Sequence, residues 1–179
     1  DDMIQTVDNA TGKMQRMLAS LRKDSQTAAA TALVDVQQVI DDAVRQTTNR
    51  TPAPVCPSLF AGHARADAER LCTVVVHLIQ NAQEACAGQG EIRVFAGGER
   101  NDVLIKIVDN GPGMDAAFVR ERLFRPFDTT KGNAGMGLGC YQARETVRSF
   151  GGELTVDSTP GQGSCFTLRL VRADAEQKD

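Results

Sequence analysis

Asp109-Asn110-Gly111-Pro112-Gly113-Met114 follows directly on a strand-like run, residues 103–108, and Lys131-Gly132-Asn133-Ala134-Gly135-Met136-Gly137-Leu138-Gly139 leads into a helix-like one. A carboxylate at a strand end can accept a hydrogen bond from an adenine amino group, while Gly111 and Gly113 let backbone lie against the base. In the second stretch the glycines free backbone N–H groups to face phosphate oxygens, and a helix start adds a favourable field for anions. Taken singly, each also reads as an ordinary tight turn or glycine-rich loop. A P-loop is excluded, because GxxxxGK[ST] occurs nowhere in the chain.

Strand and helix patterns mix on both sides of these stretches. Residues 91–96 and 103–108 read as a hairpin around Gly97-Gly98-Glu99-Arg100-Asn101-Asp102. Before it, Leu71, Val74, Val75, Leu78, Ile79 and Ala82 recur with helical period as far as about Cys86. Asp67 stands at the N-cap of that helix, with Arg70 where a capping box would place Glu or Gln. Farther upstream Leu33-Val34-Asp35-Val36 reads as a strand and Val39, Ile40, Ala43 and Val44 as the apolar side of a helix. Residues 52–57, with their prolines, suit an edge strand or loop, and His63 reads as a loop residue. Downstream come a short helix near residues 116–123, a helix from about 138 to 150 ended by Gly151-Gly152, and closing strands at 153–157 and 164–171. Strict βαβ alternation is absent. The expected fold is therefore α+β, a two-layer α/β sandwich with helices on one face of a mixed, mostly antiparallel sheet.

Ile4, Val7, Thr11, Met14, Leu18 and Leu21 are spaced alternately by three and four. Such spacing suits the seam of a coiled coil or helical hairpin, and equally an amphipathic helix packed on its own domain. Lys23-Asp24-Ser25-Gln26-Thr27 then reads as an exit linker. The expected organisation is a helix and linker at 1–28, a globular domain at 29–173 and a polar tail at 174–179. A formal net charge of −3 gives no large field of either sign, so nucleic acid is not an expected partner. No run reaches the roughly 18 apolar residues of a membrane span, and Asp1-Asp2 is unlike a secretory signal. The expectation is a cytoplasmic piece of a longer protein, whose membrane anchoring stays open. Five cysteines, an odd number with no CxxC pair, argue against a disulfide framework or a zinc site and suit small hydrophobes in a reducing compartment.

Two further positions carry chemistry. Asn81 interrupts an otherwise apolar helix, His77-Leu78-Ile79-Gln80-Asn81-Ala82, from which an amide oxygen can reach a hard cation such as Mg²⁺; the plainer reading is a solvent-facing or capping residue. Gly161-Gln162-Gly163-Ser164-Cys165-Phe166 enters the last strand and alone would be a hairpin turn. In order and spacing these stretches resemble the family whose shared ATP-binding fold serves histidine kinases, type II topoisomerases, mismatch-repair ATPases and a major chaperone. Asn81 matches its N box, residues 109–114 its first glycine box and residues 135–139 its second. Leu123-Phe124-Arg125-Pro126-Phe127-Asp128-Thr129-Thr130-Lys131 resembles the phenylalanine box of histidine kinases, and residues 161–166 the last glycine box. The resemblance covers about residues 31–171.

It implies the Bergerat fold with Mg-ATP as ligand. Adenine falls to Asp109, between Gly111 and Gly113 and with Ser164 nearby; Asn81 is the Mg²⁺ ligand. Thr130, Lys131, Gly135, Gly137, Leu138 and Gly139 line the phosphates. Members that hydrolyse ATP carry a Glu four residues before the N-box Asn, and here that position is His77. The resemblance therefore favours the kinase branch, whose nucleophile is an imidazole on another helix and whose catalysis rests on positioning and charge stabilisation. Many histidine kinases have Lys three residues after the N-box Asn; Glu84 stands there, and Lys131 is the substitute. The implied whole is a sensor histidine kinase, homodimeric through a hairpin that bears the phosphoacceptor, with a response regulator as next partner. A serine-directed kinase of the anti-sigma type and a non-catalytic nucleotide-binding adaptor are the alternatives.

Overall fold

Burial with a period of two along one strand sets the architecture. The computed structural model describes residues 31–126 and 138–173, all within one compact unit, Thr31–Asp179. In it, Asp102–Asp109 buries Val103, Ile105, Ile107 and Asp109 on one face and turns Leu104, Lys106 and Val108 to the other. The expected N-terminal seam, Thr130, Lys131, Gly135, Gly137 and the polar tail lie outside the described residues.

In chain order the described elements are β1 (Ala32–Asp35), α1 (Val36–Thr47), β2 (Pro54–Val55), β3 (His63–Ala66), α2 (Ala68–Cys86), β4 (Ile92–Glu99) and β5 (Asp102–Asp109). Then follow α3 (Ala116–Glu121), α4 (Gly139–Ser149), β6 (Glu153–Thr159) and β7 (Gly163–Val171). The main sheet has the order β2-β4-β5-β7-β6, and within it only β2 and β4 run parallel. Strands β1 and β3 form a separate antiparallel pair. Ile40, Leu71, Leu78 and Ile79 of α1 and α2 share a core with Ile92, Ile105, Ile107, Leu168 and Leu170 of the sheet. Burying each such side chain contributes about 1.5–3 kcal/mol. Arg93, Lys106, Thr155 and Asp157 on the sheet are exposed, so the sheet is covered on one face, as expected of a two-layer α+β sandwich.

Local chemistry moves three boundaries. Asp35 accepts hydrogen bonds from the N–H groups of Gln37 and Gln38 at 2.9 and 3.3 Å, so it caps α1 and ends the strand read through Val36 one residue early. His63 lies in β3, opposite Asp35, and not in a loop; Ala64 and Ala66, the buried residues of that strand, are too small to announce it in the sequence. The hairpin loop is also shorter than expected. Strand β4 continues through Gly97 and Gly98 to Glu99, leaving Arg100 and Asn101 as the turn, with Arg100 at φ 53°.

Helix α2 is closed at both ends. Asp67 accepts from Arg70 N–H at 3.0 Å, and Ala87, at φ 48°, donates its N–H to Glu84 O at 3.2 Å. Gln83, buried on its inner side, donates through Nε2 to the carbonyls of Thr47 and Pro52 at 2.9 and 3.1 Å, which ties α2 to the end of α1.

Candidate functional site

Asp109 is the last residue of β5, paired with Ile92 on one side and Ser164 on the other. Alternation along the strand turns its carboxyl inward, and it is only 5% exposed. Burial pushes its pKa upward, while the backbone amides of Gly111 and Ser164, hydrogen-bonded to the carboxylate, act in the opposite direction; the Gly111 contact is 2.9 Å. Gly111 has to be small. A Cβ there would lie 2.9 Å from Asp109 Oδ1 and 3.3 Å from Ala85 Cβ of α2.

The turn after Asp109 is clipped to the β6–β7 hairpin. Ser158 Oγ donates to Gly163 O at 2.9 Å and accepts from Met114 N–H at 2.8 Å. A hydroxyl has one proton, so in the 3.0 Å contact between Ser158 and Ser164 the proton comes from Ser164. Ser164 keeps its lone pairs beside Asp109. Gly161 N–H also donates to Pro112 O at 2.7 Å. Gly113, at φ 68°, has no room for a Cβ against Thr159 O, and Gly163, at φ 93°, none against Asp109 O. Sequence reading misses Ser158; counting back from the turn 160–162 pairs it with Ser164, which is the signal that finds it.

At the other end of the groove α2 meets the start of α4. Asn81 Nδ2 lies 3.7 Å from Cys140 Sγ, and the imidazole of His77 lies against Gly139. His77, Asn81 and Ala85 are spaced by four and so form one stripe of α2, partly exposed at His77 and Asn81 and open at Ala85. Eight residues of helix rise span about 12 Å. The stripe thus joins the start of α4, beside His77 and Asn81, to Gly111 and Asp109, beside Ala85. Leu138, buried at 7% exposure, precedes α4 and puts no side-chain cap on the helix. Arg144 of α4 stacks over the Phe124 ring, 4.6 Å from its centroid, and anchors the phenylalanine-box residue to the same helix. Asn81, Leu138 and Gly139 toward one end of the α2 stripe, and Asp109, Gly111, Gly113 and Ser164 toward the other, are the described members of a candidate groove. A cavity of about 630 Å³ is lined by Gly113, Met114, Asp115, Phe118, Arg122 and Pro160; it shares Gly113 with that set, but neither Asp109 nor Asn81 lines it.

The sequence profile of the histidine kinase-, DNA gyrase B-, and HSP90-like ATPase family matches residues 66–174. The chain belongs to this family. It is 41% identical over 106 residues, 58% of its length, to the C4-dicarboxylate transport sensor protein DctB of Rhizobium meliloti. It is 39% identical, over 59% of its length, to the sensor histidine kinase ZraS of Escherichia coli strain K12. Those matches span 17% and 22% of the two relatives. The solved structure of the mycobacterial sensor histidine kinase MprB superposes with a TM-score of 0.71 at 21% identity, covering 81% of this chain and 99% of that one. The fold is the Bergerat sandwich, and the domain is an ATP-binding catalytic domain of the sensor histidine kinase kind. Among the described residues no helix is long and apolar enough to cross a membrane.

Proposed function

We propose that the domain binds Mg-ATP and donates the γ-phosphoryl group to a histidine on a dimerisation helix of its parent protein, for relay to a response regulator. The observation that carries this reading is the α2 stripe, with a buried carboxyl at one end and an uncapped helix start at the other. Asp109 accepts from the adenine amino group, and Ser164, its proton committed to Ser158, accepts beside it. Gly111 and Gly113 let the turn after Asp109 pack tightly, against Asp109 and Ala85 at the first and against Thr159 at the second, which holds the Asp109 carboxyl in place for the base. The first turn of α4 has no acidic residue, so its side chains set no negative charge against the phosphates.

Asn81 supplies an oxygen of the kind a hard cation takes, on the stripe and next to the start of α4. When bound, magnesium neutralises charge on the phosphate oxygens. Lys131 is assigned to the terminal phosphate. No carboxylate occupies position 77 to activate water, so transfer to an imidazole is favoured over hydrolysis. The parent is a cytoplasmic-facing homodimer in this reading. Calorimetry with ATP, with and without Mg²⁺, followed by phosphotransfer to a histidine-bearing hairpin from the parent protein, tests it. Absence of ATP binding overturns it, and transfer to serine in place of histidine replaces it with the anti-sigma type of kinase.

A further inference from the structure

We propose that His77 is a positioning residue: its imidazole is the spacer that sets the first turn of α4 against Asn81 and so fixes where the terminal phosphates meet that helix. This rests on the Mg-ATP reading above and concerns the phosphate end of the same groove.

Gly139 supplies the first observation. A Cβ built on it would overlap Nε2 and Cε1 of His77 and lie 2.8 Å from Cδ2. Gly139 is helical, with no left-handed backbone to require glycine, so its requirement is steric and His77 is the cause. The ring edge therefore touches the α4 backbone with nothing between. One turn further along α2, Asn81 Nδ2 meets Cys140 Sγ at 3.7 Å. Two neighbours on one face of α2 are keyed to two consecutive residues of α4.

The rest of α4 is held elsewhere. Ala143 and Val147 are buried, and Phe150 packs in the core just past the helix. Removing the imidazole thus withdraws one support from the first turn and leaves the helix docked. Leu138 brings no side-chain cap, so the backbone of that turn takes part of its position from the His77 contact. A carboxylate at 77 would set negative charge against the turn that receives the phosphates. The imidazole avoids this, and with two rotatable bonds it holds a fixed thickness.

The test is calorimetry on the 179-residue chain with Mg-ATP and with adenosine, for wild type, His77→Ala, Gly139→Ala and the double variant. Each single change should weaken Mg-ATP binding about tenfold, and in the His77→Ala background the Gly139→Ala change should cost no more than about twofold. Adenosine, which reaches only the Asp109 end, should bind each variant within about twofold of wild type. Losses that multiply independently, or equal losses for adenosine and Mg-ATP, overturn the spacer role. Wild type that binds neither ligand overturns the Mg-ATP reading itself. Should His77→Ala fail to fold, His77→Asn takes its place under the same criteria.

Discussion

Asp109 keeps a carboxyl dry at the end of a strand, which is unfavourable until a ligand uses it. Burial raises its pKa in the folded chain above the unfolded value, so folding disfavours the charged form. The resulting penalty is absent below the unfolded carboxyl range and fully present once pH exceeds the raised folded value. Asp109→Asn removes that penalty and keeps an acceptor for Gly111 N–H. The ligand-free variant should therefore melt no lower than wild type at neutral pH, with the difference shrinking as pH falls through the carboxyl range. Affinity for ATP should nevertheless drop by about 1.5–3 kcal/mol, the loss of a buried, charge-assisted contact to adenine. Unchanged affinity in the folded variant would remove Asp109 from the site. At Asn81 the expectation is a split by metal. Asn81→Ala should weaken ATP binding in the presence of Mg²⁺ far more than binding of ADP without metal, as titration of both will show. Equal losses would mark Asn81 as a packing residue. Both positions are legible in the sequence because a polar residue ends or interrupts an apolar pattern; the inward direction of Asp109 also follows from alternation along 103–109.

At the level of elements, long apolar periodicity is what makes helices α1 and α2 and strands β5 and β7 readable, while α4 is marked by the glycines at both its ends. The remaining features depend on pairing partners that a linear pattern does not display. Strand β3 has only alanines on its buried side, and it exists because β1 lies beside it. Val36 reads as the end of a strand until the N–H groups of Gln37 and Gln38, turned toward Asp35, start the helix there. Ser158 gains its role from register: the pairing of Ser158 with Ser164 brings its hydroxyl to Met114 N–H and Gly163 O. Ser158→Ala would leave Met114 N–H without that acceptor and Ser164 without its proton acceptor. The expected cost is about 1–3 kcal/mol in urea unfolding, with faster amide exchange at Met114 as the local signature. Full stability and unchanged exchange would show that the turn is held by Gly161 N–H to Pro112 O without help from Ser158.

For the molecule as a whole, the proposed function divides the chemistry between a domain that holds ATP and a nucleophile that must come to it. The chain has two histidines. His63 lies in β3, outside the groove, paired with Asp35 in the small sheet. His77 lies in α2 with its ring against Gly139, fixed among the residues assigned to the phosphates and not on an element that could approach them in line. Residues 1–28 contain no histidine at all. Phosphoryl transfer needs nucleophile and phosphorus within about 3–3.5 Å and aligned, a placement neither histidine has the freedom to reach within its own domain. The 179-residue chain should therefore bind ATP and yet take up no phosphate when incubated with γ-labelled ATP and Mg²⁺. Adding a histidine-bearing hairpin from the parent protein, in trans or fused in cis, should restore labelling, acid-labile and base-stable as phosphohistidine is. Strong labelling of the chain alone would make one of its own histidines an acceptor. No labelling after the hairpin is supplied, by a chain that still binds ATP, would instead leave the domain as a nucleotide-binding adaptor.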